Sequence, residues 1–209
     1  MAYHRTGGRV VILTACKRIV AAAWCCMAIA CGNGRLDAFE LQQSGVIDDF
    51  EDLNNRASYD LGWWYIVSDH TGSQTLEFKA PPDRAGDKGA LHGYCSGLTS
   101  WGAEVGVSFD NPYDASRFSA VEFSAEAGAT GTDTAMVVWI LDSNHSFSYA
   151  SPLTLTWGTY HVPFANVVNP DDSSLGLDTS QVTGIHFAFD NYPSAIDLWL
   201  DDVSFVAGP

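Results

Sequence analysis

The chain predicts an all-β fold, an antiparallel β-sandwich, on three observations. Apolar residues recur at every second position over many short segments, turn-forming clusters separate these segments, and no long amphipathic helix is visible after residue 46. The interior of a half-buried sheet imposes such a period, because successive side chains leave a strand on opposite faces.

The segments follow in order. The fold opens on an acidic strand, Ile47-Asp48-Asp49-Phe50-Glu51-Asp52, and period-two segments occupy residues 64–68, 90–95 and 105–109. Val121, Phe123 and Ala125 then alternate with Glu122 and Ser124. Residues 135–141 are continuously apolar and end at Asp142, which predicts a central strand covered on both faces. Residues 159–163 and 185–189 continue the alternation, and a last strand over 196–206 carries Leu198-Trp199-Leu200-Asp201-Asp202-Val203. Turn signals lie between them: Asp69-His70-Thr71-Gly72, Pro81-Pro82-Asp83, Asp110-Asn111-Pro112, Gly128 with Gly131, Asn169-Pro170-Asp171-Asp172 and Asn191-Tyr192-Pro193. A helical turn over 164–168, after Pro163, is compatible with this pattern. Eight to ten strands result.

The first 30 residues stand apart. Arg5, Arg9, Lys17 and Arg18 precede an apolar run over 19–30, and no acid occurs among them. This is the pattern of an export signal, too short to span a bilayer comfortably. It ends in Ala28-Ile29-Ala30-Cys31-Gly32, which resembles a bacterial lipobox and implies cleavage before Cys31 and lipid on that cysteine. The expected organisation is signal peptide 1–30, tether 31–45 and sandwich 46–209. The expected location is the cell envelope, at the outer membrane. Ordinary secretion after an Ala-x-Ala-like site is the alternative.

Charge excludes further classes. Removing residues 1–30 takes four of ten basic residues and no acid, leaving six against 25 acids, near −19. Such a chain repels phosphates, so nucleic acid is not an expected partner, and membrane contact rests on lipid at Cys31 alone. Of five cysteines only Cys95 follows Cys31, which rules out a disulfide framework in a mature monomer. Oligomeric state is not encoded in any visible pattern.

The two acidic strands are the first and last of the sandwich. Were they to pair at a sheet edge, their carboxylates would repel unless protons or a cation neutralised them, and a hard oxygen-liganded ion such as Ca2+ suits that task. Charges that simply decorate solvated edge strands are the alternative.

A set of motifs carries a family resemblance. Ile-Asp-Asp-Phe-Glu-Asp (47–52), Gly-Trp-Trp-Tyr-x-x-Ser-Asp-x-Thr-Gly (62–72), Leu-His-Gly (91–93), Trp-Gly-Ala-x-x-Gly-x-x-Phe (101–109), Tyr-Asp-Ala-Ser (113–116), Trp-x-x-Tyr-x-Val-Pro-Phe (157–164) and Ile-Asp-Leu-Trp-Leu-Asp-Asp-Val-x-Phe (196–205) occur in this order. The chain resembles the galactose-binding-like jelly rolls of exported bacterial proteins, of the myxobacterial type, which are related to carbohydrate-binding modules and nearest to family 11. The resemblance implies a jelly roll and a structural Ca2+ with Glu51 and Asp201 as first ligands. Asp49 shares the face of Glu51, and Asp202 takes over if the register slips by one. Many relatives carry a cysteine pair in the loop after the central strand, whereas residues 142–149 hold none here.

Non-catalytic binding of a polysaccharide is the function this resemblance implies. Aromatic faces would pack on sugar C–H surfaces while polar groups take the hydroxyls. Trp139, Asp142, Asn144, His145 and Tyr149 cluster in sequence at the end of the central strand, Tyr192 adjoins Asp190 and Asn191, and Trp101 sits in a turn-rich stretch. Trp64, Tyr65, Trp157 and Trp199 are further candidate aromatics, and at least half of all eight candidates belong in the core; Trp63 and Trp157 rank lower because their motifs look structural. A calcium-stabilised adhesion or scaffold domain that binds proteins is the alternative function. Hydrolysis of glycosides needs two suitably spaced carboxylates, which 25 acids supply by chance. Glu104 and Glu122 are the glutamates nearest the core strands. Neither Gly-x-Ser-x-Gly nor, after Cys31, His-x-x-x-His or Cys-x-x-Cys occurs, and the protein is not expected to be an enzyme.

Overall fold

The computed structural model describes residues 44–128, 135–189 and 195–208. The signal segment with Cys31, most of the tether, and Tyr192 with Asp190 and Asn191 lie outside these residues. Among the described residues there are eleven strands: β1 (Val46–Asp48), β2 (Gly62–Ser68), β3 (Ser73–Lys79), β4 (Ala90–Ser96), β5 (Ala103–Tyr113), β6 (Ala120–Ala127), β7 (Ala135–Asp142), β8 (Ser146–Pro152), β9 (Gly158–Pro163), β10 (Val182–Phe189) and β11 (Ala195–Val206). One sheet runs β3-β4-β11-β6-β9 with β1 also pairing β11, the other runs β2-β5-β10-β7-β8, and every pairing is antiparallel. This is the β-sandwich that the alternation predicts.

The inward-facing residues of both sheets meet in one aromatic-rich core. Phe50, Trp64, Phe123, Phe147, Phe187 and Phe205 are essentially solvent-free. Trp64 packs between Phe50 (ring centroids 5.0 Å apart) and Phe187 (6.5 Å), and Phe123 meets Phe187 edge-on at 4.9 Å. Full burial of one such side chain is worth about 1.5–3 kcal/mol. Cys95 is buried too, and burial pushes its thiol up to about 11, in keeping with a small core side chain.

Four details differ from the expectation. The terminal strands do meet, yet not at an edge: β1 pairs β11 at Val46↔Ser204 and Asp48↔Val203, just past the point where β4 stops pairing with β11 at Leu91↔Leu200. A register shift between Asp201 and Ser204 marks this handover, with Asp202 in left-handed conformation at φ 53°. Residues 146–149, read as loop, belong to β8, where Phe147 enters the core; the serines between aromatics concealed a period-two pattern. Strand β3 escaped notice because only Leu76 and Phe78 mark its inner face. Finally, β7 is not covered on both faces: Met136, Val138 and Ile140 are buried, whereas Val137, Trp139 and Leu141 are only half-buried. The helical turn after Pro163 is present as a 3-10 turn, Phe164–Asn166.

Candidate functional site

The outer face of the five-stranded sheet is where strand register collects functional side chains. Tyr65 pairs with Gly106, Gly106 with His186, His186 with Trp139 and Trp139 with Ser148, so one rung crosses all five strands. At about 4.8 Å per strand the rung is about 19 Å long. The neighbouring rung on one side is Trp63, Ser108, Gly184, Leu141 and Ser146, and on the other Val67, Glu104, Ala188, Val137 and Ala150.

Gly106 shapes this face. A Cβ on it would stand 2.7 Å from the His186 ring and 3.1 Å from the Tyr65 hydroxyl, so only glycine lets these side chains meet across β5. They do meet, with Tyr65 Oη 2.7 Å from His186 Nε2 and Glu104 Oε1 3.2 Å from His186 Nδ1. Burial pushes the Tyr65 phenol up to about 12, with the Glu104 charge acting in the same sense, so it stays protonated.

Beyond Trp139 the face runs into a cleft of about 520 Å³ lined by Trp139, Leu141, Asp142, Asn144, His145 and Asn169, among others. Four sequence candidates, Trp139, Asp142, Asn144 and His145, therefore come together. Their roles separate on inspection. The Asp142 carboxylate is buried and accepts the N–H groups of Asn144 (2.8 Å), His145 (2.8 Å) and Asp178 (3.0 Å). Burial alone would raise its pKa, but these donors hold it below the usual carboxylate range. Asn169 works alike on the facing loop, taking the N–H groups of Asp171 and Asp172 and donating to the Ser146 carbonyl. Asp142 and Asn169 thus build the cleft walls, while the exposed Asn144 and His145 side chains face its opening.

The remaining candidates are placed elsewhere. Tyr149 shares the inward parity of Phe147 and packs against the core. Trp101 is 49% exposed between β4 and β5, at the opposite end of the sheet from the cleft. Trp64 is core, its indole N–H donating to buried Asp48 at 2.7 Å, whereas its neighbour Trp63 is 48% exposed with the Arg56 guanidinium 4.3 Å from its ring. Tyr65 and His186 were missed as a pair because residues 121 positions apart leave no joint signal in sequence.

On the other sheet the acidic termini are met by protein cations. Arg84 lies 2.6 Å from Asp201, 3.2 Å from Asp202 and 3.3 Å from Asp87, and Lys88 lies 2.8 Å from Glu51. Asp49 accepts the Glu51 N–H. Among the described residues no group of three or more His, Cys, Asp or Glu side chains could hold a metal ion. Calcium takes six to eight oxygens, and the donors as arranged do not fit that demand. Nor are these acids mere surface decoration, since Asp48 and Asp201 are buried. Burial pushes the Asp48 carboxyl up to about 7, against the bonds from the Phe50 N–H and the Trp64 indole.

Known structures share this architecture. A family 11 carbohydrate-binding module from Clostridium thermocellum, solved in complex with a β-1,3-1,4-mixed-linked tetrasaccharide, superposes with a TM-score of 0.58 at 16% identity, covering 78% of this chain and 95% of that one. A family 30 carbohydrate-binding module gives 0.55 at 15% identity, over 69% and 82%. An exo-β-agarase gives 0.59 at 14% identity over 79% of this chain, matching 25% of its own length. At such identities the likeness establishes the fold. No protein-family model matches the chain, and no curated protein does.

Proposed function

We propose that this protein binds a polysaccharide, without cleaving it, along the outer face of the five-stranded sheet. The observation that carries the reading is the rung Tyr65, Gly106, His186, Trp139, whose partly exposed side chains lead into the polar cleft at Asn144 and His145. Trp139 offers a ring, over which no cation or other ring lies among the described residues, and Tyr65, Asn144 and His145 offer hydrogen bonds. Several sugar rings laid along the rung would meet alternating apolar and polar groups. The solved family 11 module with its tetrasaccharide supports a glycan ligand for this architecture. Binding is preferred to hydrolysis because Asp142, the buried carboxylate of the cleft, is committed to three backbone N–H groups and shifted downward, whereas a glycosidic general acid needs a raised pKa.

Display from the cell envelope through lipid on Cys31 belongs to the same proposal and rests on the Ala28-Ile29-Ala30-Cys31 sequence. We assign the neutralisation of the terminal strands to Arg84 and Lys88 in preference to Ca2+, which would have to displace them. An affinity-gel series with β-glucans, agar and other polysaccharides tests the binding reading. Retardation that disappears in Trp139→Ala and persists in Trp101→Ala supports it. A folded protein retained by no polysaccharide would move the function to a protein partner.

A further inference from the structure

The rung on the outer face does not stop at β8. The chain that follows the 3-10 turn Phe164–Asn166 returns along the edge of β8 that faces away from β7, and Val168 pairs there with Ser148. The Ser148 N–H donates to the Val168 carbonyl at 2.8 Å, and the Val168 N–H donates to the Ser148 carbonyl at 3.1 Å. Directly opposed residues of an antiparallel pair share a face. Ser148 stands on the outer face beside Trp139, so Val168 takes the next position on the rung, after Tyr65, Gly106, His186, Trp139 and Ser148. At about 4.8 Å per strand the rung grows from about 19 Å to about 24 Å. Burial agrees with this parity: Val167 and Asn169 are buried, whereas Val168 is 51% exposed and Pro170 is exposed.

Two features set Val168 apart from an incidental surface residue. It is held in place from both sides: Val167 belongs to the core, and the buried Asn169 amide accepts the N–H groups of Asp171 and Asp172 and donates to the Ser146 carbonyl at 3.2 Å. An apolar group already fixed loses little freedom when a ligand covers it. Its surroundings on the face are also complementary to a sugar. Trp139 and Val168 flank Ser148, and the same pairing carried on by two residues sets Pro170 beside Ser146, across from Leu141. Apolar side chains thus stand on both sides of a strip of serine hydroxyls that runs into the cleft. Pro170 has no N–H with which to extend the pairing, so Val168 ends the rung.

We propose that Val168 is a further glycan-contacting residue, which forms with Trp139 a subsite for one sugar ring over Ser148. The proposal rests on the glycan-binding reading of this face. The ring lays its C–H surface against the indole and the valine methyl groups and turns hydroxyls towards Ser148. The ligand is accordingly a chain long enough to run from Tyr65 past β8 to Val168.

Affinity gels with the best-retained polysaccharide test this on the wild type, Val168→Thr, Val168→Ala and Trp139→Ala. Val168→Thr keeps the shape and the β-branch but exchanges a methyl group for a hydroxyl, and should weaken binding about fourfold, whereas Val168→Ala should weaken it about tenfold. Both should melt like the wild type, because the bridge to Ser148 is made by the backbone and the side chain is half in water. Wild-type affinity in both Val168 variants, with binding lost in Trp139→Ala, overturns the proposal and leaves the glycan reading in place. An affinity loss in Val168→Ala matched by a fall in melting temperature, with Val168→Thr unchanged in both, makes the residue structural and also overturns the proposal. Wild-type protein retained by no polysaccharide overturns the glycan reading and this subsite with it.

Discussion

The outer faces of the two sheets are built by the same alternation and put to opposite use. On the six-stranded sheet the described tryptophans Trp157 and Trp199 are each covered by a cation or a second ring. Trp199 lies under His92, centroids 4.2 Å apart, with Lys79 Nζ 5.3 Å away, and Trp157 lies under Arg84 at 4.6 Å with its indole N–H bonded to Asp83. Acids fill the spaces between: Asp197 bonds His92 at 2.9 Å, Asp201 bonds Arg84, and buried Glu126 is pushed up to about 7 by burial and by nearby Asp83. On the five-stranded sheet Trp139 is uncovered among the described residues, and its polar neighbours form one short chain across a glycine. One face is closed on itself by charge; the other is closed so only at its margin, where Arg56 lies over Trp63, and leaves the Trp139 ring without such a cover among the described residues. The difference teaches that the presence of tryptophans identifies no binding face. What identifies one is whether the ring's own neighbours already satisfy it.

This contrast can be broken at its strongest point first. Arg84→Met removes the guanidinium from buried Asp201, whose carboxyl burial pushes up to about 8, and should cost about 1–3 kcal/mol, read as a lowered denaturation midpoint, because a buried polar partner is left without its hydrogen bond. If Arg84 and Lys88 are the closing cations, as proposed, EDTA should leave the wild-type melting temperature unchanged; a large drop would assign that role to a metal instead.

Next comes the open face. Trp139→Ala should weaken polysaccharide binding by about 2 kcal/mol, roughly thirtyfold, as truncation of an aromatic anchor does, with little change in melting temperature. A stability loss matching the affinity loss would mean that Trp139 is a structural residue like Trp199.

A smaller effect concerns pH on the closed face. The Glu126 pKa is raised in the folded state to about 7 from an unfolded value near 4.5. The folded state therefore favours the protonated form. The associated stability is present below the unfolded value and is lost as pH rises through about 7. Glu126→Gln should flatten the decline between pH 5 and pH 8 by on the order of 1 kcal/mol, measured by urea unfolding at each pH. An unchanged slope would show that Asp48 and Asp201, raised in the same direction to about 7 and about 8, dominate it. The smallest expected effect is that of Trp101→Ala, exposed and remote from the cleft, which should alter neither affinity nor stability; any loss of affinity would extend the site to the other end of the sheet.

The fold was legible because burial on one face imposes a period of two, and Val121, Phe123 and Ala125 declare it without help from distant residues. Legibility failed where that signal is diluted. Strand β8 hid behind its serines, and β3 behind a single exposed-looking pair of apolar residues. Part of the site was legible for a different reason. Trp139, Asp142, Asn144 and His145 are neighbours in sequence at a strand end, so any antiparallel arrangement would bring them together. The sequence did not reveal that Asp142 serves the loop rather than a ligand, because three backbone donors claim it only after the turn forms. Nor did it separate Trp63 from Trp64, since a one-residue choice of parity exchanges core for surface.

By itself, then, the chain determined an antiparallel sandwich and an anionic composition, because these follow from local period and from residue content. Tertiary structure alone decided that β11 receives β1 in the middle of a sheet, that Arg84 and Lys88 reach the terminal carboxylates, and that Tyr65, Glu104 and His186 meet over Gly106. Those contacts join residues far apart in sequence, and strand order and register, which set them, depend on how the whole core packs.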